Sequence, residues 1–404
     1  MSIRLGLKPY NAFGYRTYPN FRTAPWLLFA LACAATLTIA AVDPAAEAGL
    51  ADWVFECAIF LLAAWLLIKH PSKPPWTFLT AIAALSLWGI AQLAFNASSY
   101  SYATLQAALR FAAFGAAALS AYLCLRGGLV REQFLEATAW FGFVISIVGV
   151  LAYHTSPNQV LWLFPSPYPD TWGPFLSRNN FAQFLELILP IALWLAFSRR
   201  EVLHWSMAAT ILAAGLVSAS RAGATILLLE TLVGFLVARP RGLRTPALFA
   251  TAVVGLGVLA GADTLVRRFA LFNPLADRVP IYSSTLAMIS QRPAQGFGLG
   301  TFASVYPEFA NFDSGYRIDH AHSDWLEWTA EGGLGFALVW LVLAIAVTPR
   351  AIKTIWGLGI PAVFLHALVD FPLARIGIAV WVFILVGAIE RTSEAAPPSH
   401  RRTP

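Results

Sequence analysis

The segment HAHSDWLEWTAE, at residues 320–331, places two histidines and three carboxylates just ahead of a long apolar run. Histidine has an ordinary pKa that lets it take up a proton near neutral pH, so His320 and His322 are candidates for a general base. His322 is the first candidate, and the choice between the two stays open. Glu327 and Glu331 could orient that base or contact a sugar. The alternative interpretation is that both histidines are solvated loop residues.

The same segment bears on two further questions, whether a metal binds and where a helix begins. No other cysteine or histidine stands near His320 and His322 in the sequence, so we predict no metal and no cofactor. Asp324 and Glu327 have the spacing of a capping box, which predicts a helix that begins at Asp324. His322 would then lie at the mouth of this helix.

Four arginines add a second kind of chemistry. Arg178 and Arg221 stand just before apolar runs, Arg278 lies in a long polar stretch, and Arg110 lies inside an apolar run. A boundary arginine often reaches for lipid headgroups, which is the alternative for each one alone. Burying Arg110 costs roughly 2.5–3.5 kcal/mol, so it needs a partner. Guanidinium groups gathered on one side of a membrane suit a diphosphate, which they bind through paired hydrogen bonds. A histidine base beside such a cradle suggests group transfer from a lipid-linked diphosphate.

The elements that must position these residues are membrane helices. The chain has 404 residues, of which 58% are hydrophobic and 12% are charged, against about 25% charged in soluble proteins. Its apolar runs approach the roughly 20 residues that a helix needs to cross a bilayer. We therefore predict an all-α polytopic membrane protein with about twelve transmembrane helices. The predicted spans are 24–42, 50–68, 76–95, 104–125, 133–153, 180–198, 205–220, 222–238, 246–261, 329–348, 355–370 and 373–390.

The charge pattern predicts the orientation of these spans. The net charge is +6, and the basic residues collect in every second connection, which places both termini in the cytoplasm rather than indicating nucleic-acid binding. The loops at 154–179 and 262–328 would then face outward. We expect a single integral membrane domain over residues 1–404, with a disordered tail at about 392–404.

Five blocks of the sequence together carry a resemblance to the O-antigen ligase and polymerase family. They occur in the expected order, cover about residues 173–377, and read GPFLSRNNFAQFLELILPIAL, SASRAG, DRVPIYSSTLAMISQRPAQGFGLGTF, HAHSDWLEWTAEGGLGF and HALVDFPLARIG. The chain departs from the family pattern at Ser177 and Ser323, where asparagine is frequent, and in a compressed glycine spacing after Glu331.

The resemblance implies a glycosyltransferase that needs no metal. Such an enzyme takes a glycan from undecaprenyl diphosphate and joins it to an acceptor hydroxyl at the periplasmic face of a bacterial inner membrane. Through the matching blocks, His322 is the expected base with His320 second, and Arg221 and Arg278 are expected to bind the diphosphate. Arg178 and Asn179 lie in the RNNFA part of the first block, and they are expected to bind substrate as well.

Several alternatives remain open at the level of sequence. An O-antigen ligase would use lipid A core as the acceptor, whereas a repeat-unit polymerase would use a growing polysaccharide; we favour the ligase. A transporter of the same lipid is a less favoured rival, because a transporter needs charges spread through the bilayer or internal repeats. Sugar identity, linkage and oligomeric state stay open.

Five other residues complete the candidates. The sequence offers no obvious nucleophile for a double displacement, so we expect a single displacement with inversion at the anomeric carbon. Trp162, Tyr168 and Trp172 could stack on sugars, although aromatic residues are also common at membrane interfaces. Asp370 is expected, with His366, to be a structural partner of the cavity rather than a catalyst.

Overall fold

The structure is a computed structural model, and it is helical almost throughout. It describes residues 23–38, 49–69, 74–166, 168, 171–240, 242–261, 278–313, 315 and 317–394. The basic residues ahead of the first span, the start of the long loop and the end of the predicted disordered tail lie outside the described residues.

Each predicted span corresponds to a helix. The helices are α1 Ala24–Thr38, α2 Leu50–Lys69, α3 Trp76–Ala94, α4 Ser101–Cys124, α5 Gly128–Thr155, α6 Arg178–Arg199, α7 Val202–Val217, α8 Arg221–Ala238, α9 Arg244–Leu259, α10 Val279–Gln291, α11 Phe302–Val305, α12 Asp324–Ala351, α13 Gly359–His366 and α14 Ile376–Glu394. Short 3-10 turns at Tyr306–Glu308 and Ile355–Gly357 and a small antiparallel pair, β1 Gln159–Val160 with β2 Phe164–Pro165, complete the elements.

Seven of the described helices are long and apolar enough to cross a membrane: α2, α3, α4, α5, α6, α8 and α12. The helices α1, α7 and α9 and the segment Ile355–His366 are apolar but shorter. The chain is therefore an all-α polytopic membrane protein, as its sequence predicts. The count of about twelve spans stays a prediction.

The core is built around α6. Within its most apolar stretch 89% of the residues are buried, and the helix packs against α5, α7, α8 and α13. One polar contact crosses this core, because His366 Nδ1 lies 2.7 Å from Glu186 Oε1 with both side chains buried. This pair fixes the end of α13 against the middle of α6.

Three helices begin at one end of the molecule, here called the site end, and each is capped by a serine. Ser177 accepts hydrogen bonds from the amides of Asn179 and Asn180 in the first turn of α6. Ser220 accepts from Gly223 N at 3.3 Å, and Ser323 accepts from Leu326 N at 3.4 Å. Serine is among the best N-cap residues because its hydroxyl satisfies an amide that the helix leaves unpaired. A side chain at Gly223 would lie 2.5 Å from the Ala182 Cβ, so the first turns of α8 and α6 are in close contact.

The last long span, α12, is broken near its start. Gly333 has a φ of 72° and a ψ of 178°, and a side chain there would meet Ala294 O at 2.3 Å. The break frees two carbonyls for the loop before α11, since Phe297 N donates to Ala330 O at 3.1 Å and Gly298 N donates to Glu331 O at 2.8 Å. The described part of the long loop is thereby held on the helix and is folded, with a small apolar core of its own that includes Ile281, Met288 and Phe302.

The predicted span at 355–370 ends too late. The helix stops at His366, residues 367–375 form turns, and α14 begins at Ile376. These turns are tied to the start of α12, because Asp324 N donates to Asp370 O at 3.1 Å and Leu373 N donates to Asp324 Oδ2 at 2.9 Å. Contacts across the fold therefore end the helix where the apolar pattern alone would continue it.

Candidate active site

The buried carboxylate of Asp370 is the centre of the polar contacts at the site end. Its Oδ2 accepts hydrogen bonds from Asn179 Nδ2 at 2.5 Å and from Arg278 Nη2 at 3.1 Å. Its Oδ1 accepts from Phe371 N at 3.0 Å and lies 3.9 Å from His322 Nδ1. We call these residues (Asn179, Arg278, His322 and Asp370) the His322 cluster.

Asp370 is a carboxylate at neutral pH. Burial alone would raise its pKa, but the neighbouring His322 and Arg278 side chains outweigh burial and hold that pKa well below its ordinary value. The ion pair with Arg278 explains how a side chain that is 1% exposed can keep a charge. The anion can therefore orient the histidine and the arginine at once.

Arg278 is held at a fixed position by a second contact. Besides Asp370, its guanidinium donates to the carbonyl of Val369. The arginine side chain remains 22% exposed. This is the arrangement expected of an anion-binding arginine that is positioned before its ligand arrives.

The backbone of His322 is strained, and contacts to its carbonyl and its ring hold the residue in place. Its φ is 52°, in the left-handed region that a non-glycine residue seldom adopts. Tyr282 Oη donates to the His322 carbonyl at 3.0 Å, and the His322 ring meets the Phe371 ring edge-on at 5.2 Å. With Nδ1 turned towards Asp370, Nε2 is the nitrogen left to meet a substrate. Strain of this kind often accompanies functional sites.

His320 has a different carboxylate partner. Its Nδ1 lies 2.9 Å from Glu327 Oε1, and Glu327 Oε2 accepts from Ala321 N at 2.8 Å. The His320 ring stacks on the face of Phe371 at 4.3 Å. Phe371 thus contacts both histidines. It packs against His322 of the cluster and against His320 of the His320–Glu327 pair.

The remaining predicted site residues are Arg178, Arg221, Arg110 and Glu331. Arg178 and Arg221 are the first residues of α6 and α8, which begin side by side at the site end. Arg110 pairs with Asp52 at 3.1 Å and lies 3.7 Å from Glu56, so it has the partner that its position requires. Glu331 Oε1 accepts from Phe302 N at 2.9 Å and secures the loop at the helix break.

Two expectations from the sequence are wrong. The helix does begin at Asp324, but its cap is Ser323, and Glu327 is turned to His320 instead of closing a capping box. Trp172 cannot stack on a sugar, because it is 2% exposed and lies between the rings of Tyr153, at 4.2 Å, and Phe181, at 5.3 Å. Trp162 stays exposed and available.

The prediction that Asp370 is a structural partner of the site agrees with its position at the centre of the cluster. A carboxylate in the otherwise apolar stretch HALVDF was a signal, since a buried acid requires partners. Its partners could not be identified because they lie 191 and 92 residues away in the chain.

The described residues hold no group of three or more histidine, cysteine or acidic side chains placed to bind a metal ion. The prediction of metal independence is not tested by this geometry.

The cluster can be compared with known proteins. No curated protein matches the chain. Residues 176–341 match the sequence model of the family described as O-antigen ligase. This region holds Arg178, Asn179, Arg221, Arg278 and both histidines, while Asp370 follows it. This part of the chain is therefore similar to the O-antigen ligase family.

Proposed function

We propose that the protein moves a glycan from undecaprenyl diphosphate to an acceptor hydroxyl, as an O-antigen ligase-type glycosyltransferase in surface polysaccharide biosynthesis. The match of residues 176–341 to that family supports a ligase or polymerase type of activity in general. The observation that carries the proposal is that one buried carboxylate, Asp370, holds an arginine and a histidine together at the site end. Acceptor activation and diphosphate binding can therefore occur side by side.

The base is His322. Its Nε2 takes the proton from the acceptor hydroxyl while that oxygen forms a bond to the anomeric carbon of the donor sugar. Asp370 steadies the imidazolium that results, as the acid does in other His–Asp pairs. The 3.9 Å separation of the two side chains is longer than a hydrogen bond, and such contacts often tighten only when substrate binds.

The leaving group is the lipid diphosphate, which departs as the bond from the anomeric carbon to its oxygen breaks. Arg278 faces the charge that builds up on it, and Arg178 and Arg221 begin two neighbouring helices at the same end. Helix N-termini attract anions because their first amides are unpaired and the helix dipole is positive there. A single displacement with no protein nucleophile inverts the anomeric configuration.

The orientation of the chain fits a periplasmic active site. α6, α8 and α12 begin at the site end, and their opposite ends carry Arg199, Arg239 and Arg350. By the positive-inside rule, the basic end is cytoplasmic. The site end then faces the periplasm of a bacterial inner membrane, where the lipid-linked donor and a lipid A core or polysaccharide acceptor would meet.

The test is deletion of the gene followed by analysis of the surface glycans. A ligase predicts that lipid-linked glycan accumulates and that lipid A core stays unmodified. The unchanged gene and an Asp313→Asn variant, altered at an exposed loop residue, should both restore transfer, whereas Asp370→Asn should not. Chains of one repeat unit attached to lipid A core would instead indicate a polymerase. Unaltered surface glycans would contradict both activities.

A further inference from the structure

The small hairpin of β1 and β2, which follows α5, carries an exposed apolar tip. Its two strands are paired at Val160 and Phe164. Three large side chains in a row, those of Trp162, Leu163 and Phe164, are exposed there, Leu163 by 71%. We call these three residues the hairpin tip. Single exposed apolar residues are common on proteins, whereas a contiguous group of large ones marks a surface that contacts something else.

The turn at the hairpin tip is made from residues that do not suit a turn of this kind. Leu163 N donates to Val160 O at 3.0 Å, and the residues between them, Leu161 and Trp162, have φ values of 51° and 63°. This is the pattern of a type I′ turn, in which asparagine and glycine are preferred because a side chain strains positive φ. Leu161 packs on Val160 and Leu176, which accounts for its presence. The exposed Trp162 needs a different explanation.

An apolar stripe on α5 shows where lipid lies beside this hairpin. From the middle of α5 onward, its exposed large apolar residues are Trp140, Val144, Ile147 and Leu151. Residues three or four apart are neighbours on a helix, so these four side chains form one face. The other face is buried and packs on α6 and α7. Because α5 is long and apolar enough to cross a membrane, its exposed stripe faces lipid.

The indole of Trp162 lies at the end of this lipid-facing stripe. Thr155, the last residue of α5, continues the stripe one turn beyond Leu151. Trp162 Nε1 donates to Thr155 Oγ1 at 2.7 Å, and Thr155 Oγ1 donates to Leu151 O at 2.7 Å. The ring is therefore held beside the lipid-facing side of α5, where the helix leaves the membrane. Tryptophan suits such a boundary because its ring is apolar and its N–H is polar.

The hairpin is tied firmly to the segment that leads into α6. Leu161 N donates to Gly173 O at 3.2 Å. The Thr171 hydroxyl lies 2.7 Å from Pro157 O and 2.9 Å from Gln159 O, and it can donate to either carbonyl. The hairpin tip cannot turn away from the end of α5 without breaking these hydrogen bonds, so its position beside the lipid is fixed by the fold.

We propose that the hairpin tip inserts into the lipid–water interface at the site end and anchors this part of the protein to the bilayer. Residues 155–169 carry no charged side chain, so shallow insertion buries no ion. Moving three large apolar side chains out of water is favourable. The inference assigns Trp162 to lipid and not to a sugar. It does not depend on the proposed reaction or on which leaflet lies at the site end, because it rests on the stripe of α5.

The test measures the surroundings of the hairpin tip with a small fluorescent label on a single cysteine. The full chain, with its three natural cysteines replaced by alanine, is placed in phosphatidylcholine nanodiscs. Leu163→Cys labels the tip, Leu151→Cys is the lipid-facing reference, and Asp313→Cys, at an exposed loop residue, is the water-facing reference. The quenchers are iodide in the water and phosphatidylcholine that carries a nitroxide near the headgroup or near the end of an acyl chain.

A second variant removes the apolar side chains of the tip while keeping its turn. Trp162→Gly and Phe164→Thr are combined with Leu163→Cys, because glycine tolerates positive φ and threonine suits a strand. The same two changes combined with Leu151→Cys show whether this polar-tip protein is still inserted in the bilayer.

We expect iodide to quench the label at position 163 at least severalfold less than the label at position 313. The nitroxide near the headgroup should quench it more strongly than the nitroxide near the chain end. In the polar-tip protein, iodide quenching at position 163 should rise to the level of position 313, while the label at position 151 stays quenched by lipid.

Three outcomes overturn the inference. If iodide quenches the labels at positions 163 and 313 equally in the protein with the natural Trp162 and Phe164, the tip lies in water. If neither iodide nor nitroxide lipid quenches the label at position 163, another protein surface covers the tip, such as a second copy of the chain. If lipid still quenches that label in the polar-tip protein, the apolar side chains are not what anchors the hairpin.

Discussion

His320 and His322 are two residues apart in the chain, yet their carboxylate partners differ in every respect that matters for chemistry. His322 stands 3.9 Å from Asp370, which also binds Arg278, so its surroundings combine an acid with a partly exposed cation. His320 is paired at 2.9 Å with Glu327, whose second oxygen accepts a hydrogen bond from Ala321 N. The first region suits an anionic leaving group, whereas the acid of the second region secures His320 and the loop backbone beside it. The identity of the neighbouring acid, rather than the histidine itself, separates the two roles.

The largest expected effect follows from removing the charge that holds the His322 cluster together. Asp370→Asn keeps the size of the side chain but can no longer stabilise the imidazolium or pair with Arg278. We expect turnover to fall on the order of 10²–10³-fold, measured as glycan transfer in membranes. Asp313→Asn, at an exposed position, should transfer normally. Near-normal transfer by Asp370→Asn would remove the distinction between the two regions.

Arg278 tests the cationic character of the same region. Arg278→Ala should weaken binding of the lipid diphosphate by about 10- to 100-fold, which corresponds to one charge-assisted hydrogen bond of roughly 1.5–3 kcal/mol. Lysine should restore binding only in part, because it keeps the charge but loses the planar pair of donors.

The control for Arg278 is Arg244→Ala, which changes an exposed arginine at the start of α9, at the end opposite the site. It should bind the donor as the unmodified protein does. Equal donor affinity for Arg278→Ala and this control would mean that the diphosphate lies elsewhere, with Arg178 and Arg221 as the next candidates.

The sequence predicts the helices well and the two regions only in part. Apolar runs fix the helix positions because a bilayer imposes a minimum length on them, so α2, α3 and α6 lie within a few residues of expectation. The break at Gly333 could not be predicted, since it depends on the close approach of Ala294 from a distant loop. His322 and Arg278 stand in recognisable blocks, whereas Asp370 gains its role from partners that only the fold brings near.

Glu327 should sharpen the comparison through a smaller effect. Glu327→Gln keeps an oxygen that can accept from Ala321 N but loses the charge beside His320. We expect kcat/KM for the acceptor to fall about 3- to 10-fold, mainly through a higher KM. This is in line with the loss of one charged hydrogen bond in a partly accessible site. Glu308→Gln, at an exposed residue, is the matched control. A loss as large as that of Asp370→Asn would make His320 the base.

The smallest expected effect is that of metal removal. Both proposed roles use only protons, guanidinium groups and carboxylates, so treatment with a chelator should leave transfer by the purified protein unchanged. Activity that disappears and returns only with a divalent ion would make His320, His322 and their acids candidate ligands instead.

The most direct measurement compares His322→Ala with His320→Ala in one preparation, recording the transfer rate and the affinity for the undecaprenyl diphosphate-linked donor. The account predicts that His322→Ala loses on the order of 10² or more in rate, the range of a positioned base, while donor affinity is unchanged. His320→Ala should lose less in rate and should raise the KM for the acceptor. A normal transfer rate in His322→Ala, or a greater loss in His320→Ala, would contradict the assignment of the base to the His322 cluster.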